Sequence, residues 1–81
     1  MPFIEIYTTA ICPYCVAAKN FFKQKDLDYS EIRIDTDPAK QQEMLTRSQR
    51  RSVPQIFVDG AHIGGFDDLV EADRSGRLAK L

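Results

Sequence analysis

"FIEIYTTAICPYCVAAKNFFKQK", Phe3 to Lys25, holds both cysteines of the chain, Cys12 and Cys15, inside four residues. "FIEIY" has the β-branched and aromatic content of a short strand. Beyond the cysteines, Tyr14, Ala17, Ala18, Phe21 and Phe22 recur at three- and four-residue spacing. That spacing predicts a helix to about Lys25 with one apolar stripe, its lysines 19, 23 and 25 mainly on the wet side. The cysteines therefore stand where a strand hands over to a helix. Cys12 falls at or just before the helix start, Pro13 at the first helical position and Cys15 within the first turn.

The same alternation continues along the chain. "SEIRID" puts Ile32 and Ile34 on one face and Glu31, Arg33 and Asp35 on the other, as in a half-buried strand. Asp37-Pro38 opens a second helix, with Asp37 as cap and Met44 and Leu45 as its buried contacts, before "SQRRS" breaks the pattern. In "QIFVDGAHI", Asp59-Gly60 is a two-residue type I′ turn between apolar runs, hence an antiparallel hairpin. "GGFDDLVEADRSG" supplies a third helix, with Asp67 and Asp68 at its positive end, Arg74 at its negative end and Gly76 as a C-terminal cap. The order is β-α-β-α-β-β-α. A right-handed crossover makes the first two strands parallel, and the hairpin adds an antiparallel pair. An α/β fold with a mixed four-stranded sheet and three helices follows.

Composition bounds what such a fold can do. With 81 residues, 43% hydrophobic and 28% charged, the chain is one small soluble domain over residues 1–81. A net charge of −1 with mixed signs lacks the basic footprint that nucleic acid requires. No apolar run approaches a signal-peptide core or a membrane span, so a cytoplasmic protein is expected.

Three chemistries compete for the cysteine pair. As a structural staple it would close a loop too short to restrain much unfolded-chain entropy. As half of a zinc site it lacks partners, since four ligands are needed, His62 is the only histidine and no second cysteine pair exists. A CxxC pair after the first strand of an α/β pattern instead reads as a thioredoxin-like redox site, and no metal is expected. Cys12 is then the nucleophile. A thiol near pKa ~8.5 is only about 3% thiolate at pH 7, and each unit of lowering needs about 1.4 kcal/mol. The helix dipole supplies about 0.3–1 kcal/mol, so direct hydrogen bonds must add to it. Pro13 has no N–H, which leaves the Tyr14 and Cys15 amides and the Cys15 thiol as local donors. Cys15, deeper in the helix, suits the resolving role.

"CPYC" together with "SVPQIFVDGAHIGGFDDL" resembles the glutaredoxins over essentially the whole chain. The resemblance implies a thioredoxin-like fold and glutathione-dependent thiol–disulfide exchange through a redox-active Cys12–Cys15 disulfide. It implies glutathione as co-substrate, disulfide-bonded or glutathionylated proteins as partners, and a monomer. Carried onto this chain, the glutathione groove is built from Tyr14, Ser52, Val53, a cis Pro54, and Gly65, Phe66 and Asp67 at the start of the third helix. Val53 would pair its backbone with the glutathione cysteine. The Phe66 and Asp67 amides would hold the γ-glutamyl carboxylate, in keeping with anion binding at helix N-termini, and the Asp67 side chain the ammonium.

Two departures stand out. Thr9 occupies a position where relatives often have a lysine, which leaves Arg47, Arg50 or Arg51 as candidates for the glycine carboxylate of glutathione, with Arg50 the nearest match to a basic position in similar sequences. Phe66 stands where close relatives often have a third cysteine. Two other readings use the same pair: a redoxin that takes electrons from thioredoxin reductase, and a dimer holding a glutathione-ligated [2Fe-2S] cluster. The first is usually marked by a Trp-Ser-Gly-Phe segment, and this chain has no Trp. The second is disfavoured by Pro13. His62 is expected to be an ordinary surface histidine.

Overall fold

The computed structural model describes residues 3–76. Its elements are β1 (Ile4–Thr8), α1 (Pro13–Gln24), β2 (Ser30–Arg33), α2 (Pro38–Ser48), β3 (Gln55–Val58), β4 (Ala61–Gly64) and α3 (Phe66–Arg74). The sheet order is β2-β1-β3-β4. β1 and β2 run parallel, with Tyr7 opposite Ile32, whereas β1–β3 and β3–β4 are antiparallel. This is the β-α-β-α-β-β-α arrangement expected from the sequence, a thioredoxin-like α/β fold.

Alternation along the strands divides the interior into two layers. Ile4, Ile6, Ile56 and Val58 face Ala18 and Phe22 of α1 and Leu69 and Ala72 of α3. Tyr7 and Phe57 point the other way and meet Met44 of α2 and Ile34. Because helices cover both sides, all four residues of β3 are buried, including the polar Gln55.

The local signals act as anticipated at the helix starts and the hairpin. The Asp37 carboxylate accepts hydrogen bonds from the amides of Ala39 at 3.1 Å and Lys40 at 3.4 Å. Asp59 and Gly60 take φ values of 50° and 84°, the positive pair that a type I′ turn needs. The α1 stripe is displaced from its expected position. Cys15, Ala18 and Phe22 are its buried residues, while Tyr14 is 63% exposed and tilts toward Phe66, ring centroids 6.4 Å apart. On α2, Met44 is buried but Leu45 only half-buried, and Ser48 takes the inward place one turn on.

His62, expected as an ordinary surface histidine, is half-buried. Its ring lies 4.9 Å from that of Phe57, and its Nε2 meets Gln55 Oε1 at 2.8 Å. The register that pairs Phe57 with His62 turns it onto the α2 side of the sheet.

Candidate active site

Cys12 is the N-cap of α1 and Pro13 its first residue. Cys12 and Cys15 form a disulfide, with Cα atoms 5.2 Å apart. The Cys15 amide donates to Cys12 Sγ at 3.1 Å, so the sulfur takes the place of a capping oxygen. That sulfur is a disulfide sulfur here and stands in for the thiol or thiolate of the reduced protein. Cys12 is 9% exposed and Cys15 only 1%, so Cys12 is the less deeply buried of the pair.

The loop before the cysteines is held from β2. The Ala10 amide donates to Asp35 Oδ2 at 3.0 Å, and Arg33 clamps both oxygens of Asp35 at 2.8 and 2.6 Å. The Arg33 hydrogen bonds, helped by the Ala10 amide, bring the Asp35 carboxyl down to about 2. A fixed carboxylate thereby anchors the segment that leads into Cys12.

An open groove of about 290 Å³ adjoins Cys12 through Val53, which lines it. Tyr14 lines it, and Ser52, Val53 and Pro54 form a wall that contains the cis Val53–Pro54 bond. The Val53 carbonyl oxygen lies 3.8 Å from Cys12 Sγ. Gly65, Phe66 and Asp67, at the N-terminus of α3, form the facing wall. Seven positions singled out in three separate stretches of sequence thus come together beside Cys12.

Of the three candidate arginines, Arg50 alone is among the residues that line the groove, and it is half exposed. Arg47 does not line it: its guanidinium reaches Glu5 at 3.0 and 3.2 Å and the Tyr7 hydroxyl at 2.8 Å, and lies 3.9 Å from the Phe57 ring centroid. Residue 47 is on the inner face of α2, where it joins the helix to the sheet. Glu5 raises the Arg47 pKa, keeping it charged. Burial, seconded by the hydrogen bond to Glu43, raises that of Tyr7.

Asp68, expected only as an acidic residue at the positive end of α3, also lines the groove. Its Oδ2 accepts from the Gly65 amide at 2.9 Å and from Arg50 at 3.1 Å. The Gly65 amide first, and Arg50 second, lower its pKa. The spacing Gly65-x-x-Asp68 is that of a capping box, hidden because glycine has no side chain to return the bond. With Asp68 as the cap, Asp67 is exposed and makes no side-chain hydrogen bond among the described residues.

The glutaredoxin family model matches residues 4–63. Glutaredoxin 3 of Escherichia coli K12 is 49% identical over 78 residues, covering 96% of this chain and 94% of the relative. The chain belongs to the glutaredoxin family. A glutaredoxin of Pseudomonas aeruginosa is 42% identical over 81 residues, covering all of this chain and 96% of that one. A crystal structure of a buckwheat glutaredoxin–glutathione complex superposes with a TM-score of 0.87 at 32% identity, covering 95% of this chain and 73% of that one. As a glutaredoxin, the protein is a thiol–disulfide oxidoreductase with a CxxC pair. The chemistry open to it is exchange at the helix-capping sulfur of Cys12, backed by the more deeply buried Cys15.

Proposed function

We propose that this glutaredoxin takes its electrons from glutathione, using Cys12 as nucleophile and Cys15 as resolving thiol. The observation that carries the reading is the convergence of Tyr14, the Ser52–Pro54 wall and the α3 N-terminus on one groove beside Cys12. A tripeptide with a central thiol and carboxylates at both ends has a matching set of partners there. The Val53 carbonyl lies beside the sulfur, the Phe66 and Asp67 amides open α3, and Asp67 and Arg50 supply opposite charges. Arg50 is the one cationic side chain lining the groove among the described residues.

The exchange balances in four steps. The Cys12 thiolate attacks a protein disulfide, forming a mixed disulfide and releasing one protein thiolate, which takes up a proton. The Cys15 thiolate then attacks the Cys12 sulfur and releases the second protein thiol. This leaves the Cys12–Cys15 disulfide, the state of the described structure. A glutathione thiolate attacks Cys12 and frees Cys15, and a second glutathione attacks the glutathionyl sulfur, giving glutathione disulfide and the Cys12 thiolate. On a glutathionylated protein, Cys12 alone accepts the glutathionyl group.

We assign glutathionylated and disulfide-bonded proteins as substrates, a monomer as the working state, the cytoplasm as the location and no resident metal. A coupled NADPH assay tests the reading. Turnover of a glutathionylated peptide with glutathione and glutathione reductase is expected, and turnover with thioredoxin reductase alone would overturn it.

A further inference from the structure

Gln55 is fully buried, polar and far from the cysteine pair in sequence. Its amide is satisfied at both ends. Nε2 donates to the Ser52 carbonyl at 2.9 Å and to Ser52 Oγ at 3.2 Å, while Oε1 meets His62 Nε2 at 2.8 Å. A carbonyl can only accept, so the nitrogen end of Gln55 must face Ser52 and the oxygen end must face the histidine. This in turn assigns the proton of neutral His62 to Nε2. The ring is set by Phe57, against which it packs, and Phe57 is itself covered by the Arg47 guanidinium. A continuous path therefore runs from β4, through His62 and Gln55, to Ser52, the residue before Val53 and its carbonyl beside Cys12.

We propose that Gln55 and His62 are positioning residues of the groove, holding the Ser52–Val53 backbone at the distance from Cys12 that a bound glutathionyl group requires. The proposal rests on the glutathione reading above. Ser52 and Val53 lie outside any helix or strand, between α2 and β3, so the sheet ladder does not fix them. The buried amide of Gln55 does, at a site shielded from water where an unpaired polar atom is costly. His62 completes it by supplying the one donor that Oε1 needs.

The test uses His62→Phe, which keeps a flat ring on Phe57 but removes the N–H, and His62→Gln, which restores a donor. Steady-state kinetics on a glutathionylated peptide, the pH profile of Cys12 alkylation and thermal melting are measured on the full chain. His62→Phe is expected to raise KM about fivefold, the ratio that one neutral hydrogen bond gives. The alkylation profile should be unchanged, and His62→Gln should recover most of the loss. A folded His62→Phe with unchanged KM would overturn the positioning role. So would equal effects of both variants on KM and alkylation, which mark general loosening. Should His62→Phe melt below the assay temperature, the wild-type ring nitrogen spectrum decides: an Nε2–H tautomer at neutral pH supports the role and an Nδ1–H tautomer refutes it. If the wild type does not turn over the peptide with glutathione, the glutathione reading itself is what fails.

Discussion

The Cys15 amide donates to Cys12 Sγ at 3.1 Å, and this bond belongs to the backbone of residue 15, not to its thiol. Replacing the Cys15 side chain therefore leaves the Cys12 sulfur with the same donor. Cys15→Ser is expected to keep most of the activity on glutathionylated peptides and to lose most reduction of protein disulfides, which needs the second sulfur. Cys12→Ser should bring both to background. Assays of the two variants on the two substrate types check this. Deglutathionylation by Cys12→Ser at a substantial rate would contradict the assignment.

The two arginines should fail in different ways. Arg47→Ala strands Glu5, which is 17% exposed in its side chain, against the sheet. A cost of about 2 kcal/mol is expected, below the ~3–5 of a fully buried pair because both partners keep some contact with water. KM for a glutathionylated peptide should stay as it is. Arg50→Ala, on the half-exposed bridge to Asp68, should change stability by less than about 1 kcal/mol and raise KM instead. Urea denaturation and steady-state kinetics on both variants separate the roles; a KM effect at residue 47 would show that its contact with Phe57 is felt in the groove through His62 and Gln55.

Much of this was readable in the chain because the deciding interactions are local. A Pro after Cys12, a Pro after Asp37 and an Asp-Gly between apolar runs each act within one turn, and each marks an element boundary in the structure. Side-chain choices between neighbours were less accessible. Arg47 and Arg50 are three residues apart, yet one lies inward beside Met44 on α2 and the other beyond the end of that helix. Asp67 and Asp68 are adjacent, and which of them caps α3 depends on where the helix begins, a matter of one residue. His62 read as surface because its hairpin turn is polar, but β-register points it inward. The groove could be named in advance only through the resemblance, since its walls meet by tertiary packing of distant segments.

The anchor of the cysteine loop should be visible in acid. The folded-state pKa of Asp35 is depressed to about 2, with Arg33 as the main cause and the Ala10 amide next. An ordinary aspartate in the unfolded chain titrates near ~3.9. The contribution of Asp35 is therefore fully present above about pH 4 and is lost as pH falls toward about 2. Asp35→Asn should remove that part of the acid dependence, so that wild type and variant converge as pH drops through this window. Denaturation midpoints from pH 6 to pH 2 measure it; curves that stay parallel throughout would show that the Arg33–Asp35–Ala10 contact adds nothing to the folded state.

Gly64 and Gly65 stand side by side, but their substitutions should act on different quantities. Gly64 has φ 122°, and a Cβ built there would lie 2.8 Å from Asp68 Cβ and 2.7 Å from its Cγ. Alanine must therefore strain the backbone and displace the carboxylate that caps Gly65 and pairs with Arg50. Backbone strain of about 1–3 kcal/mol and a lost cap of about 1 kcal/mol predict a total near 2–4 kcal/mol. At roughly 4–8 °C per kcal/mol for a domain of this size, Gly64→Ala should melt at least about 8 °C lower. Gly65 has no such restriction. Its added methyl would meet the Pro54 carbonyl oxygen at 3.5 Å, an ordinary contact, from the opposite wall of the groove. Gly65→Ala should cost about 1 kcal/mol or less, as an alanine N-cap does, and raise KM for a glutathionylated peptide by narrowing the space between the walls. Melting curves and kinetics on the pair check both halves. A Gly64→Ala protein that melts with the wild type would mean that Asp68 does not need its place at the helix start.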